Sequence, residues 1–206
     1  MRKTAAPKLP TIRRKSPGRT FTILGLDPGF ASFGWALVEV SRAADGAPVA
    51  LPFTCGVIRT AKATAKEHIF AAEDVVQRAT QIYKALGQIM NHADVVSAES
   101  LSYPRSASVS AQMGVAWGVV ASLVAERNLP LVQLGPQAAK KALTGLKSAS
   151  KAEVQAAVEL KLPAAAPMLE EILASKREHA ADAFGLALCA LDSESVRAML
   201  RMLSTH

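Results

Sequence analysis

Asp27, Glu99 and Asp182 each stand where an apolar stretch meets an acid, and His179 lies three residues before the last of them. Asp27 closes the run Ile23-Leu24-Gly25-Leu26, and Glu99 closes Asp94-Val95-Val96-Ser97-Ala98. A carboxylate beside a core is costly unless a cation or hydrogen bonds compensate it. At a spacing of three on a helix, His179 and Asp182 point to one face. Four oxygen and nitrogen donors converging at strand ends would hold one or two hard divalent ions, which phosphodiester hydrolysis uses to activate water and stabilise the leaving oxygen. Spacing alone leaves a second reading open, in which Asp27 before Pro28-Gly29 is an ordinary turn residue and His179 an ordinary helix residue.

The surrounding pattern supplies the elements that would bring these residues together. Phe21 to Leu26, Phe33 to Val40 and Leu51 to Ile58 read as three strands joined by short turns, an antiparallel meander. The period then changes: Ile69, Ala72, Val75, Val76, Ala79, Ile82, Tyr83 and Leu86 mark an amphipathic helix ending near Asn91. A strand from Asp94 to Ala98 follows, then a helix from about Ser108 to Arg127, a strand Leu131 to Leu134, and a helix opened by Pro136. Ser150-Lys151-Ala152-Glu153 is a capping box that begins another helix. A helix from His179 to about Leu191 comes last, with Val196 to Leu203 prolonging it or forming one more. The expected fold class is α/β, a mixed five-stranded sheet of an antiparallel meander plus parallel strands, flanked by helices.

Charge divides the 206 residues unevenly. Residues 1 to 20 hold Arg2, Lys3, Lys8, Arg13, Arg14, Lys15 and Arg19 and no acid, so these seven account for the whole net charge of +7. The expectation is a flexible basic arm over 1–20 and one domain over 21–206, with a polyanion as the arm's natural partner. Cys55 and Cys189 lack zinc or disulfide spacing, which suits a reducing cytoplasm. Ser106 to Ala125 carries no charge, but it holds Ser106, Ser108, Ser110, Gln112 and Ser122, most of them gathered at the start, as in a core helix leaving a polar loop. No membrane span and no secretory signal are expected.

Together the motifs resemble those of the RuvC family of Holliday junction resolvases, nucleases of the RNase H-like fold. Leu24-Gly25-Leu26-Asp27-Pro28-Gly29 with Gly34-Trp35 is similar to the family's first motif, and Ala98-Glu99-Ser100 to its second. Gln112-Met113-Gly114 with Gly118-Val119-Val120 also matches, as does His179-Ala180-Ala181-Asp182-Ala183 followed by Leu186-Ala187-Leu188. The likeness runs in order from Thr22 to about Leu191. It implies a structure-selective endonuclease that makes paired symmetric nicks in four-way DNA junctions as a homodimer. In that scheme Asp27, Glu99, His179 and Asp182 bind two Mg²⁺ or Mn²⁺ ions, and the nucleophile is water.

The resemblance further implies two DNA-contacting lysines, Lys140 and Lys151, with Lys141 blurring the first assignment. Lys151 has independent support, because the first turn of a capped helix already favours an anion. A lysine there could touch the scissile phosphate as part of the catalytic set. The loop Ser100-Leu101-Ser102-Tyr103-Pro104-Arg105 departs from the family, which places an aromatic where Ser102 stands; Tyr103 is the candidate for stacking on bases, with Arg105 beside it on DNA. The stretch Leu160 to Arg177 also looks longer and richer in Pro and Ala. Rival readings are a nuclease of flaps, forks or hybrids, a catalytically silent junction-binding scaffold, and an actin-like phosphotransferase, for which the chain is short.

Overall fold

The computed structural model describes residues 20–64, 69–101 and 106–203. The basic arm up to residue 19, and Tyr103 and Arg105, lie outside the described residues. Five strands, β1 (Phe21–Asp27), β2 (Ser32–Arg42), β3 (Pro48–Arg59), β4 (Val95–Glu99) and β5 (Leu131–Leu134), form one sheet in the order β3-β2-β1-β4-β5. The first three are antiparallel, and β4 and β5 join parallel to β1. This is the mixed sheet expected from the meander followed by β-α-β alternation.

Residue parity sorts the strands into two cores. Leu24 and Leu26 of β1, Phe33, Trp35 and Leu37 of β2, and Val96 and Ala98 of β4 face the helices α1 (Ala71–Met90) and α2 (Ala107–Arg127). Ile23, Ala36, Val38 and Val95 face the other way. There they meet α3 (Pro136–Thr144), α4 (Lys151–Lys161), α5 (Ala166–Glu170), α6 (Arg177–Cys189) and α7 (Glu194–Met202). Side chains alternate along a strand, so Asp27 follows Ile23 and Gly25 onto the α6 face, and Glu99 follows Val95 and Ser97. Ser97 indeed donates its hydroxyl proton to the Leu186 carbonyl of α6 at 2.9 Å.

Two glycines let α6 lie directly on the sheet. A Cβ at Gly25 would overlap the Ala183 carbonyl oxygen, and one at Gly34 the His179 carbonyl oxygen. The small residues Ala180, Ala183 and Ala187 complete the close approach from the helix side, all of them buried. Main chain therefore packs on main chain, which places the start of α6 over the end of β1.

The stretch between Leu160 and Arg177 folds as short helical turns, Pro163–Ala165, α5 and Ala174–Lys176. Val196 to Leu203 belongs to a separate helix, because the Ser193 hydroxyl caps its start by accepting from the Val196 N–H at 3.3 Å. Gly114 and Gly118 have open space where a Cβ would go and lie on the exposed side of α2, so no helix among the described residues packs on them.

Candidate active site

The parallel pairing of β1 with β4 aligns Leu26 with Ala98, so Asp27 and Glu99 are the next residues of neighbouring strands. Both strands stop there, and their acids project at one edge of the sheet on the α6 side. His179 and Asp182 enter from the first two turns of α6. His179 Nδ1 lies 2.7 Å from Asp27 Oδ2. Asp182 and Glu99 line a small cavity of about 70 Å³ with Lys140, Leu143, Val154 and Leu186.

Crowded carboxylates in a half-buried place change their proton affinity. Burial pushes Glu99 up to about 7, and the negative charges of Asp27 and Asp182 push the same way, while Lys140 opposes them. Asp182 rises to about 6, chiefly through burial and then through Asp27, with Lys151 and His179 opposing. The hydrogen bond to Asp27 raises His179 above the ordinary imidazole value, against the effect of its burial. The chain thus gathers more negative charge than its neighbours neutralise.

Two lysines flank the acids. Lys140 lines the cavity beside Glu99 and Asp182, whereas Lys141 is exposed and not among the lining residues. Lys151 is the first residue of α4, whose capping box is complete: Ser150 Oγ accepts from the Glu153 N–H at 3.3 Å, and Glu153 Oε2 accepts from the Ser150 N–H at 2.7 Å. The Lys151 ammonium pairs with Glu178 at 2.8 Å. That hydrogen bond, foremost among several charges including Asp182 and Asp27, raises its proton affinity. Glu178 was not foreseen from the sequence. Its place next to His179 in the first turn of α6 was the available signal.

Among the described residues, no three His, Cys, Asp or Glu side chains stand close enough to form a ready cage for an ion. The donors nonetheless suit one. They are hard oxygens and an imidazole, and the burial that chiefly raises Glu99 and Asp182, together with their repulsion from Asp27, is what a divalent cation would offset.

A pH test follows from these shifts. A carboxyl whose folded value is raised stabilises the fold fully below its unfolded value and loses that contribution as pH rises through the folded value. For Asp182 and Glu99 the loss spans about 6 and about 7; His179, also raised, loses its share in the same direction. The metal-free protein is therefore expected to melt lower at about pH 8 than at about pH 5. Asp182→Asn should recover on the order of 1 kcal/mol at the higher pH after allowance for solvent screening, about 2–4 °C in Tm. Scanning calorimetry at both pH values checks this; an identical pH slope in the variant would refute it.

A mixed five-stranded sheet with acids at the ends of its first and fourth strands and on a late helix defines an RNase H-like protein. Residues 23–190 match the sequence profile of the family described as crossover junction endodeoxyribonuclease RuvC, and the chain belongs to this family. The RuvC of Thermomicrobium roseum is 34% identical over 170 residues, spanning 81% of this chain and 90% of that protein. That of Natranaerobius thermophilus is 29% identical over 180 residues, spanning 86% and 99%. The solved structure of T. thermophilus RuvC in complex with Holliday junction substrate superimposes with a TM-score of 0.64 at 22% identity, covering 88% of this chain and 97% of that one.

Proposed function

We propose that this protein is an endonuclease that resolves four-way DNA junctions by metal-dependent phosphodiester hydrolysis. The observation that carries the reading is the convergence of Asp27, Glu99, Asp182 and His179 between Lys140 and Lys151 in a chain of the RuvC family. A scaffold that only held DNA would gain nothing from three carboxylates facing a polyanion. Divalent Mg²⁺ or Mn²⁺, two ions in this reading, would be held by Asp27, Glu99, His179 and Asp182, lowering the pKa of water and neutralising charge on the phosphate oxygens. Lys151, at the start of α4, would offer its ammonium and the adjacent free N–H groups to the scissile phosphate, exchanging Glu178 for it. Lys140 would hold a neighbouring phosphate and temper the charge of Glu99. Tyr103 and Arg105, which lie outside the described residues, belong to the proposed DNA contacts on the strength of the sequence alone.

The homodimer belongs to the same proposal. Helix α2 is long and apolar enough to cross a membrane, and little of it is buried. Its exposed side carries Ala111, Gly114, Gly118, Ala121 and Ser122 at helical spacing. Small residues allow a second copy's helix to approach closely, and a two-fold pair of active sites matches a two-fold junction. An association surface accounts for this helix without a bilayer, consistent with a soluble enzyme of the cytoplasm.

The test is cleavage of a synthetic four-way junction with Mg²⁺ or Mn²⁺, beside flap, fork and linear duplex controls, with the solution mass measured by sedimentation. Paired symmetric nicks by a protein of twice the chain mass are expected, with affinity falling steeply as salt rises. Cutting of flaps alone would overturn the substrate, and junction binding without cutting under either ion would overturn the activity.

A further inference from the structure

On the sheet face opposite α6, a buried polar network reaches the turn that follows Asp27. Arg78, in α1, is buried, and its guanidinium lies over the Phe30 ring at 4.2 Å from the centroid. Its Nε–H donates to Thr60 Oγ1 at 2.9 Å, and Nη2 reaches the Phe30 carbonyl at 3.5 Å. The Thr60 hydroxyl donates a hydrogen bond to the same carbonyl at 2.6 Å, and the Thr60 N–H donates to the Ala31 carbonyl at 3.2 Å. Asp74, one turn before Arg78, pairs with it at 3.5 Å and accepts the Ala63 N–H at 2.7 Å. Three segments distant in sequence thus meet at the backbone of Phe30 and Ala31.

A buried arginine carries a desolvation cost that an apolar residue in its place would avoid, so its placement calls for a reason. The core around it is already built from Ile82, Leu86, Phe33 and Leu26, all fully buried. What the network adds is direction. The carbonyl of Phe30 accepts from two donors, and the Pro28–Ala31 turn is thereby tied to α1 and to the end of β3. Asp27 is then held on one side by α6 through His179 and on the other by the turn that Arg78 and Thr60 fix.

We infer that Arg78 and Thr60 are positioning residues for DNA cleavage: through the Phe30 carbonyl they hold the turn that fixes Asp27, without touching DNA or the reacting atoms. This rests on the nuclease reading given above. The effect is on turnover rather than on binding, because the network lies beneath the turn, buried from solvent. An error of about 1 Å in a reacting group can cost about 10²-fold in rate, so a loosened turn has a large kinetic consequence at small structural cost.

The test compares Thr60→Val, which keeps the shape and removes the hydroxyl, with Thr60→Ser, which restores it; Arg78→Lys, which keeps charge but loses the planar fork, is the third variant. Single-turnover cleavage of a four-way junction is measured with saturating protein, together with junction affinity without metal and hydrogen exchange of the 29–32 amides. Thr60→Val and Arg78→Lys are expected to cut about 10- to 100-fold more slowly, with junction affinity unchanged and faster exchange confined to the turn. Thr60→Ser is expected to cut like wild type. Normal cleavage by Thr60→Val, with or without lower thermal stability, would overturn the inference by making the network structural only, as would unchanged exchange in the turn. A wild-type protein that cuts no branched DNA would overturn the nuclease reading and this inference with it, a result separate from equal cutting by wild type and variant.

Discussion

Gly25→Val is expected to abolish cleavage and to lower stability by about 3 kcal/mol or more, some 6 to 12 °C in Tm. The position is a strand interior, where a β-branched residue would ordinarily be favoured. Here the added Cβ overlaps the Ala183 carbonyl oxygen and would stand 2.9 Å from its carbon and 3.0 Å from the Ala187 nitrogen. All three are backbone atoms of α6, which no rotamer change can move. The helix must lift, and it carries His179 and Asp182 away from Asp27 and Glu99. Gly25→Ala carries the first carbon of the same clash and should show the same two losses to a smaller degree. Gly114→Ala is the control for stability alone, since the position lies on the proposed association surface: among the described residues nothing of the same chain lies within 4 Å of the added carbon, and removing a helical glycine should leave the melting point equal or higher. Thermal denaturation of the three variants and junction cleavage by the two Gly25 variants decide the matter; a Gly25→Val protein with wild-type Tm would show that α6 is not held as described.

The contrast between Gly25 and Gly118 shows what a sequence can carry. Both belong to motifs that resemble the family's, yet one is filled by a helix backbone and the other faces solvent. The letter G records only that a Cβ is absent. By contrast, the meander, the parallel strands and the capping box at Ser150 and Glu153 were legible because each rests on local pattern: alternation, a change of period, or a side chain reaching its own helix start. The acids were legible for a different reason, the cost of ending an apolar strand on a charge. The Lys151–Glu178 pair spans two helices, and the Arg78–Thr60–Phe30 network spans 48 residues between Arg78 and the carbonyl it reaches. No periodicity announces contacts of that range. Arg78 also reads as an ordinary polar member of an amphipathic helix, and only its burial sets it apart. The end of the last strand-facing helix was blurred because Val196 to Leu203 keeps an apolar period; the break is made by Ser193, a cap that sequence offers in many places where no helix begins.

Asp27→Asn is expected to reduce junction cleavage by on the order of 10³-fold or more, the scale of losing several kcal/mol of charge stabilisation at the reacting phosphate, while junction binding without metal stays equal or tightens. The exchange is nearly isosteric, and the amide oxygen can still accept from His179 Nδ1–H, so the turn and α6 need not move. What disappears is one negative charge among three carboxylates. That charge contributes to raising Glu99 to about 7 and Asp182 to about 6, and the hydrogen bond to it is the first cause of the rise in His179. In the variant all three groups should therefore titrate at lower pH, which a pH series of imidazole carbon resonances follows directly for His179. DNA phosphates meet less repulsion at the site, which accounts for the retained or stronger binding. The two readouts separate electrostatics from damage. A variant that loses cleavage while its His179 titration stays at the wild-type value would place Asp27 outside the charge cluster, and one that still cuts at the wild-type rate would remove Asp27 from the reaction altogether.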